Sequence, residues 1–115
     1  MLVIFDQATP VPIRRPYLER HTIRTAAQQG WDKLVKGDLL IAAEQAGFEI
    51  LLTTDKNIRY QQNLAGRKIA IVVLGRQQWP QLEPHIQRVI DAVDMAKPGS
   101  YVEVDIPSSK PGQTE

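Results

Sequence analysis

The sequence predicts an α/β protein, a three-layer sandwich in which a mainly parallel central sheet of about five strands carries helices on both faces. Short apolar runs recur along the 115 residues, and segments with helical features separate them. A chain that alternates strands and helices forms a parallel sheet, because each helix returns the chain to the edge where the next strand begins. The first run, Leu2 to Phe5, is apolar throughout, which indicates a central strand covered on both faces.

The predicted strands are short runs rich in β-branched and other apolar residues. Gly75 ends the clearest of them, and the last run alternates apolar with polar residues, as an edge strand does. We predict strands over residues 2–6, 21–25, 48–53, 69–74 and 100–106.

Two of the predicted helices have clear start and stop signals. Asp38 is a suitable N-cap for a helix over 38–46, and Gly47 follows as its C-terminal stop. A longer helix is predicted to begin at Pro80, because apolar residues follow at helical spacing before a Lys-Pro-Gly sequence ends it. Less regular patterns predict further helices over about 12–20 and 56–65.

Length and composition predict one domain over residues 1–106, followed by a flexible tail over 107–115 that lacks apolar anchors. The absence of cysteine excludes disulfides and thiolate metal sites, and it fits a cytoplasmic protein. No apolar run approaches the roughly 20 residues that a membrane span needs, so we expect no membrane association. The net charge of +1 does not by itself indicate a nucleic-acid binder.

Three aspartates occupy junctions between predicted elements. Asp6 ends the first strand, Asp38 opens a helix, and Asp55 follows the third strand. In a parallel sheet these positions lie at one edge, and clustered carboxylates repel each other unless a cation lies between them. Hard oxygen ligands suit Mg²⁺ or Mn²⁺, and such a metal favours hydrolysis of a phosphodiester backbone. Each aspartate alone also fits a structural role as a helix cap or turn residue.

Three short motifs in a fixed order carry a resemblance to a known family. They are Asp6-Gln-Ala-Thr-Pro10, Gly37-Asp38-Leu-Leu-Ile-Ala42-Ala43 followed by Gly47, and Thr53-Thr-Asp55-Lys-Asn57-Ile58. With these motifs, residues 1–97 resemble the small bacterial PIN-like domain proteins, which are relatives of the PIN-domain ribonuclease toxins.

The resemblance implies an acidic pocket that binds Mg²⁺ or Mn²⁺, with Asp6, Asp38 and Asp55 as catalytic metal ligands and Asn57 as a further ligand. It implies a metal-dependent endoribonuclease that hydrolyses single-stranded RNA. It extends to the toxin of a toxin–antitoxin pair, with an antitoxin protein or a second copy of the chain as partner.

Two departures from the family pattern reduce the charge of this pocket. Gln7 and Ala8 replace the polar Glu-Asn pair that follows the first aspartate in the family, and Asn57 stands where a second aspartate is frequent. An asparagine offers a neutral carbonyl ligand and no charge. A catalytically weak module that binds RNA or a protein partner is therefore the alternative function.

Basic residues around the predicted edge are candidates for binding RNA phosphates, because cations that surround a metal site position a nucleic-acid backbone. These candidates are Lys56, Arg59, Arg14 and Arg76. The alternative for each of them is an ordinary solvated surface position.

A phospho-receiver domain is a third interpretation, since Asp55 follows the third strand, where a phospho-acceptor would lie. The surrounding residues fit it poorly. Gln7 replaces the second acid of an acidic pair, and Gly75 occupies the place of a hydroxyl after the fourth strand.

Overall fold

The computed structural model describes residues 1–7, 9, 13, 18, 21–58, 66–75 and 79–106. Its centre is a five-stranded sheet in the order β2-β1-β3-β4-β5, in which every neighbouring pair is parallel. The strands are β1 (Leu2–Phe5), β2 (Thr22–Thr25), β3 (Ile50–Thr53), β4 (Ala70–Leu74) and β5 (Tyr101–Val104). The predicted α/β class and the five predicted strands are confirmed.

The helix α1 (Lys36–Gln45) begins earlier than the sequence predicted. Its N-cap is Val35, which has extended backbone angles and makes no side-chain capping bond, so the prediction of Asp38 as N-cap is wrong. Asp38 lies within the first turn instead, where a carboxylate favours the positive end of the helix dipole. Gly47 follows the C-cap with a φ of +88°, as predicted for the stop.

The predicted long helix after Pro80 is broken into short pieces, and the prediction of one continuous helix is wrong. The chain forms α2 (Trp79–Leu82), a 3₁₀ turn (Glu83–His85) and α3 (Ile86–Asp94). Pro84 lies within the 3₁₀ turn and explains the break, because proline has no N–H to donate and its ring clashes with the preceding helical turn.

Parts of the other predictions fall on residues that the structure does not describe. The predicted helices over 12–20 and 56–65 lie largely outside the described residues, and the tail over 107–115 lies wholly outside them. Within the described ranges, no helix has the length and apolar character needed to cross a membrane.

The core forms two hydrophobic clusters, one on each face of the sheet, and successive residues of a central strand belong to alternate clusters. Phe5, Leu52 and Val72 belong to one cluster with α2 and α3 residues, including Leu82 and Val89. The alternate strand residues belong to the other cluster, together with residues of α1. Its members on these elements are Ile4, Leu39, Leu40, Ala43, Leu51, Ile71 and Val73. Apolar residues therefore cover both faces of the central strands, which accounts for their uninterrupted apolar sequences.

The strand order sets where a site can form. The chain leaves β1 toward β2 on one side, then crosses back to β3 on the other side of β1. The connections on the two sides therefore diverge at the carboxyl ends of β1 and β3. In open parallel sheets, ligands bind in the crevice at such a switch point.

Candidate active site

Asp6 lies at the carboxyl end of β1, directly at the switch point. Its backbone N–H donates to the Leu52 carbonyl at 2.9 Å, so it is held against β3. Only 6% of the residue is exposed. Its Oδ1 accepts a hydrogen bond from the backbone N–H of Gln7 at 2.8 Å. The carboxylate is thus fixed in a largely dry position, where a charge needs partners to offset its lost hydration.

A single hydroxyl links the two aspartates that follow β1 and β3. Thr53, the last residue of β3, is fully buried, and its Oγ1 donates to Asp6 Oδ2 at 2.7 Å. The same oxygen accepts a hydrogen bond from the backbone N–H of Asp55 at 3.1 Å. Thr53 therefore connects the Asp6 carboxylate to the backbone of the turn that carries Asp55. The predicted meeting of the two carboxylates at one metal stays a prediction.

Asp55 organises the chain after β3 through its own side chain. Its Oδ1 accepts a hydrogen bond from the backbone N–H of Asn57 at 3.0 Å, and its carbonyl accepts one from Ile58 at 3.3 Å. This is the turn that an aspartate forms at a helix start. Asn57 is exposed and takes part through its backbone, so its predicted role as a side-chain metal ligand stays a prediction.

Thr9 closes the turn after β1. Its backbone N–H donates to the Asp6 carbonyl at 3.0 Å, and its Oγ1 donates to the Leu52 carbonyl at 2.9 Å. Sequence reasoning missed both Thr9 and Thr53, which are the buried hydroxyls of the site. The signal for Thr53 was present, because a threonine at the end of an apolar strand run has no water for its hydroxyl and must bond to the protein. Thr9 lies beyond the first apolar run, and its local sequence carries no such signal.

Asp38 is exposed in the first turn of α1. The chain leaves β2 at the carboxyl edge of the sheet and enters α1 before returning to β3, so this first turn belongs to the same end of the molecule. Among the described residues, however, no three histidine, aspartate or glutamate side chains form a group that could hold a metal. The predicted convergence of Asp6, Asp38 and Asp55 on one metal therefore stays a prediction.

Asp6 and Asp55 offer carboxylate oxygens, which are the ligands that a hard divalent cation prefers. Mg²⁺ is commonly held by one or two carboxylates, with waters and substrate phosphates completing its shell. Asp6 and Asp55 meet that minimum on neighbouring strands.

Of the predicted phosphate-binding residues, the structure describes Lys56. It is exposed and lines a hollow of about 220 Å³ at the carboxyl ends of β4 and β5. Glu103 and Asp105 line the same hollow, so the hollow carries both signs of charge. The other three predicted residues lie outside the described part of the chain, namely Arg14, Arg59 and Arg76.

Compared with known proteins, the chain matches no family model, and no curated protein or solved structure is significantly similar to it. The resemblance to the PIN-like proteins therefore rests on the three motifs and their spacing, and the function is a proposal.

Proposed function

We propose that the protein is a metal-dependent endoribonuclease of PIN-like type that hydrolyses single-stranded RNA with Mg²⁺ or Mn²⁺. The observation that supports this proposal best is the buried Asp6 carboxylate, joined through Thr53 to Asp55 at the switch point. The order and spacing of the three sequence motifs also support this proposal.

The burial of the Asp6 carboxylate favours a role in binding a ligand over a purely structural role. An apolar or neutral residue could end β1 without a desolvation cost, whereas the Asp6 carboxylate, at 6% exposure, carries one. Hydrogen bonds from Thr53 and from the Gln7 backbone offset that cost and hold both carboxylate oxygens in place. In this proposal the Asp55 carboxylate adds repulsion, which a bound cation relieves.

In this proposal the chain's own residues hold and orient the reacting groups. Asp6 and Asp55 bind the metal through their oxygens, Asp38 contributes from the first turn of α1, and Thr53 keeps the first two in register. When bound, the metal supplies activation of water and stabilisation of negative charge on a phosphodiester. Lys56 contacts an RNA phosphate at the rim of the site.

The proposal extends to a biological role as the toxin of a bacterial toxin–antitoxin pair. An antitoxin protein that covers the carboxyl edge, or a second copy of the chain, is then the expected protein partner, in the cytoplasm. This extension is supported by the motif resemblance.

Cleavage of mixed single-stranded RNAs with Mg²⁺ or Mn²⁺ tests the activity. We expect Asp6→Asn and Asp55→Asn each to lower cleavage by at least about 100-fold, since even residues that only support a metal ligand cost about 10–100-fold. Asp91→Asn, an exposed aspartate on α3, is the matched control and retains wild-type cleavage. Equal cleavage by the wild type and both site variants would identify a contaminant and end the proposal.

The alternative function, a non-catalytic module that binds RNA or a protein, is favoured by one observation. Asp38 is exposed and stands outside any metal-holding group of the described residues. Thermal unfolding with millimolar Mn²⁺ separates the two functions. The nuclease gains stability with metal and loses that gain in Asp6→Asn, whereas the binding module binds RNA without metal and shows no Mn²⁺ effect.

A further inference from the structure

A second cavity lies at the amino ends of the strands, opposite the carboxyl ends where Asp6 and Asp55 lie. Its volume is about 720 Å³, within the range of small-molecule sites. The amino ends of β3 and β4 form its base, and the segments that precede β4 and follow α3 form its walls. Its lining includes Phe48, Ile50, Arg67, Ile69, Lys97 and Pro98.

The polar side of this cavity is built around an ion pair. Arg67 Nη1 donates to Glu44 Oε1 at 2.7 Å, and both side chains are mostly buried, with 20% and 24% exposure. Glu44 Oε2 accepts hydrogen bonds from the backbone N–H groups of Lys68 and Ile69 at 3.1 and 3.3 Å. Glu44 is therefore fully engaged, and it fixes the Arg67 guanidinium in one orientation.

The fixed guanidinium retains a donor that nothing in the described part of the chain accepts. Arg67 Nε is buried and lacks a hydrogen-bond partner. A buried donor without an acceptor is unfavourable, and native proteins rarely keep one unless a water or ligand satisfies it. An anionic ligand in the cavity adds a favourable charge interaction with this guanidinium.

The remaining charges of the cavity favour an anion as well. Lys68 and Lys97 line it, are exposed, and form no ion pair with any described residue. Against these cations stand two carboxylates. Glu44 is paired with Arg67, and Glu49 accepts a hydrogen bond from the Leu2 backbone at 3.0 Å. The cavity thus has a surplus of positive charge.

Close backbone contacts shape the cavity before any ligand binds. The Gly99 N–H donates to the Lys68 carbonyl at 2.9 Å, and a Cβ on Gly99 would lie 2.9 Å from the Arg67 carbonyl. The segment after α3 is therefore held tightly against the segment before β4. A pre-formed cavity lowers the ordering cost of binding.

We propose that this cavity binds a small organic anion, in which an aromatic or aliphatic body carries one phosphate or carboxylate. The body packs on the apolar wall that includes Phe48, Ile50 and Pro98. The anionic head lies near the Arg67 guanidinium and near the Lys68 and Lys97 ammonium groups. This site is separate from the proposed nuclease site, because its residues lie at the other ends of the strands.

Binding of phenyl phosphate to the full chain, followed by NMR chemical-shift changes and calorimetry, tests the proposal. We expect the shift changes to centre on residues 66–70 and 96–98. Inorganic phosphate lacks the body and benzyl alcohol lacks the charge, so each binds at least about tenfold more weakly. Equal affinity for either one, or shift changes centred elsewhere, overturns the proposal.

Variants show whether phenyl phosphate binds at the amino ends or at the carboxyl ends of the strands. Lys97→Gln removes an exposed cation and keeps the fold, and Arg67→Gln removes the cationic guanidinium. Each is expected to weaken the binding of phenyl phosphate by about tenfold. Lys56→Gln is the matched control at the carboxyl edge and retains wild-type affinity. Loss of binding in Lys56→Gln with no effect in Lys97→Gln places the probe at the aspartate edge and refutes the cavity site, whatever the outcome of the RNA cleavage test.

Discussion

At the scale of single residues, Thr53 matters most to the candidate active site. Its hydroxyl donates to Asp6 and accepts from Asp55, so one atom couples the ends of two neighbouring strands. A hydroxyl can do both, because it carries one donor and two acceptor positions. The site geometry therefore depends on a residue that carries no charge itself.

We predict that Thr53→Val lowers the free energy of unfolding by about 1–3 kcal/mol, since it removes a hydrogen bond to a buried carboxylate while keeping the shape of the side chain. Urea denaturation measures the change. Thr54→Val is the matched control, because Thr54 is half-buried and its hydroxyl makes no bond within the described residues. The control is expected to stay within about 0.5 kcal/mol of the wild type. Equal effects of the two substitutions would show that the hydroxyl of Thr53 is not important.

At the scale of elements, the turn between α1 and β3 sets the direction in which β3 enters the sheet. Gly47 has a φ of +88°, a left-handed conformation that side chains disfavour. The Phe48 N–H then donates to the Ala43 carbonyl at 2.9 Å, which closes the helix end. This turn supports both the sheet register and the cavity at the amino edge.

Replacing Gly47 tests that turn. No atom lies within 4 Å of a Cβ added there, so the cost of Gly47→Ala is conformational and amounts to about 1–2 kcal/mol. Gly47→Asn is expected to cost less, because asparagine tolerates the left-handed region better. Thermal or urea unfolding of the two variants measures the difference. An alanine variant as stable as the wild type would mean that the turn rearranges without cost.

At the scale of the whole molecule, the two hydrophobic clusters cover both faces of the central strand β3. Leu51 and Leu52 are both fully buried, yet they belong to opposite clusters. Val102 on the edge strand β5 is 38% exposed. Side chains on both faces of β3 are therefore expected to contribute more to the free energy of unfolding than Val102 on the edge strand does.

We expect Leu51→Ala and Leu52→Ala to be similarly destabilising, by about 2–5 kcal/mol each, because each leaves a cavity in a packed cluster. Val102→Ala is the control at the edge and costs less than about 1 kcal/mol. Urea denaturation of the three variants provides the comparison. A small effect for one leucine alone would mean that its face of the sheet is loosely covered.

The sequence by itself determined the fold class, the five strands and the positions of Asp6 and Asp55 after strands, because hydrophobic periodicity and glycine stops act over a few neighbouring residues. Local patterns also misled, since Asp38 looked like a cap and helical spacing continued across Pro84.

Only the tertiary structure decided which distant residues meet. The strand order, set by the packing of both faces, linked the Asp6 carboxylate to Thr53 on the neighbouring strand and left Asp38 exposed. It also paired Glu44 with Arg67, 23 positions away, at the opposite edge of the sheet. Such pairings depend on how elements cross and pack, a property that no local pattern records.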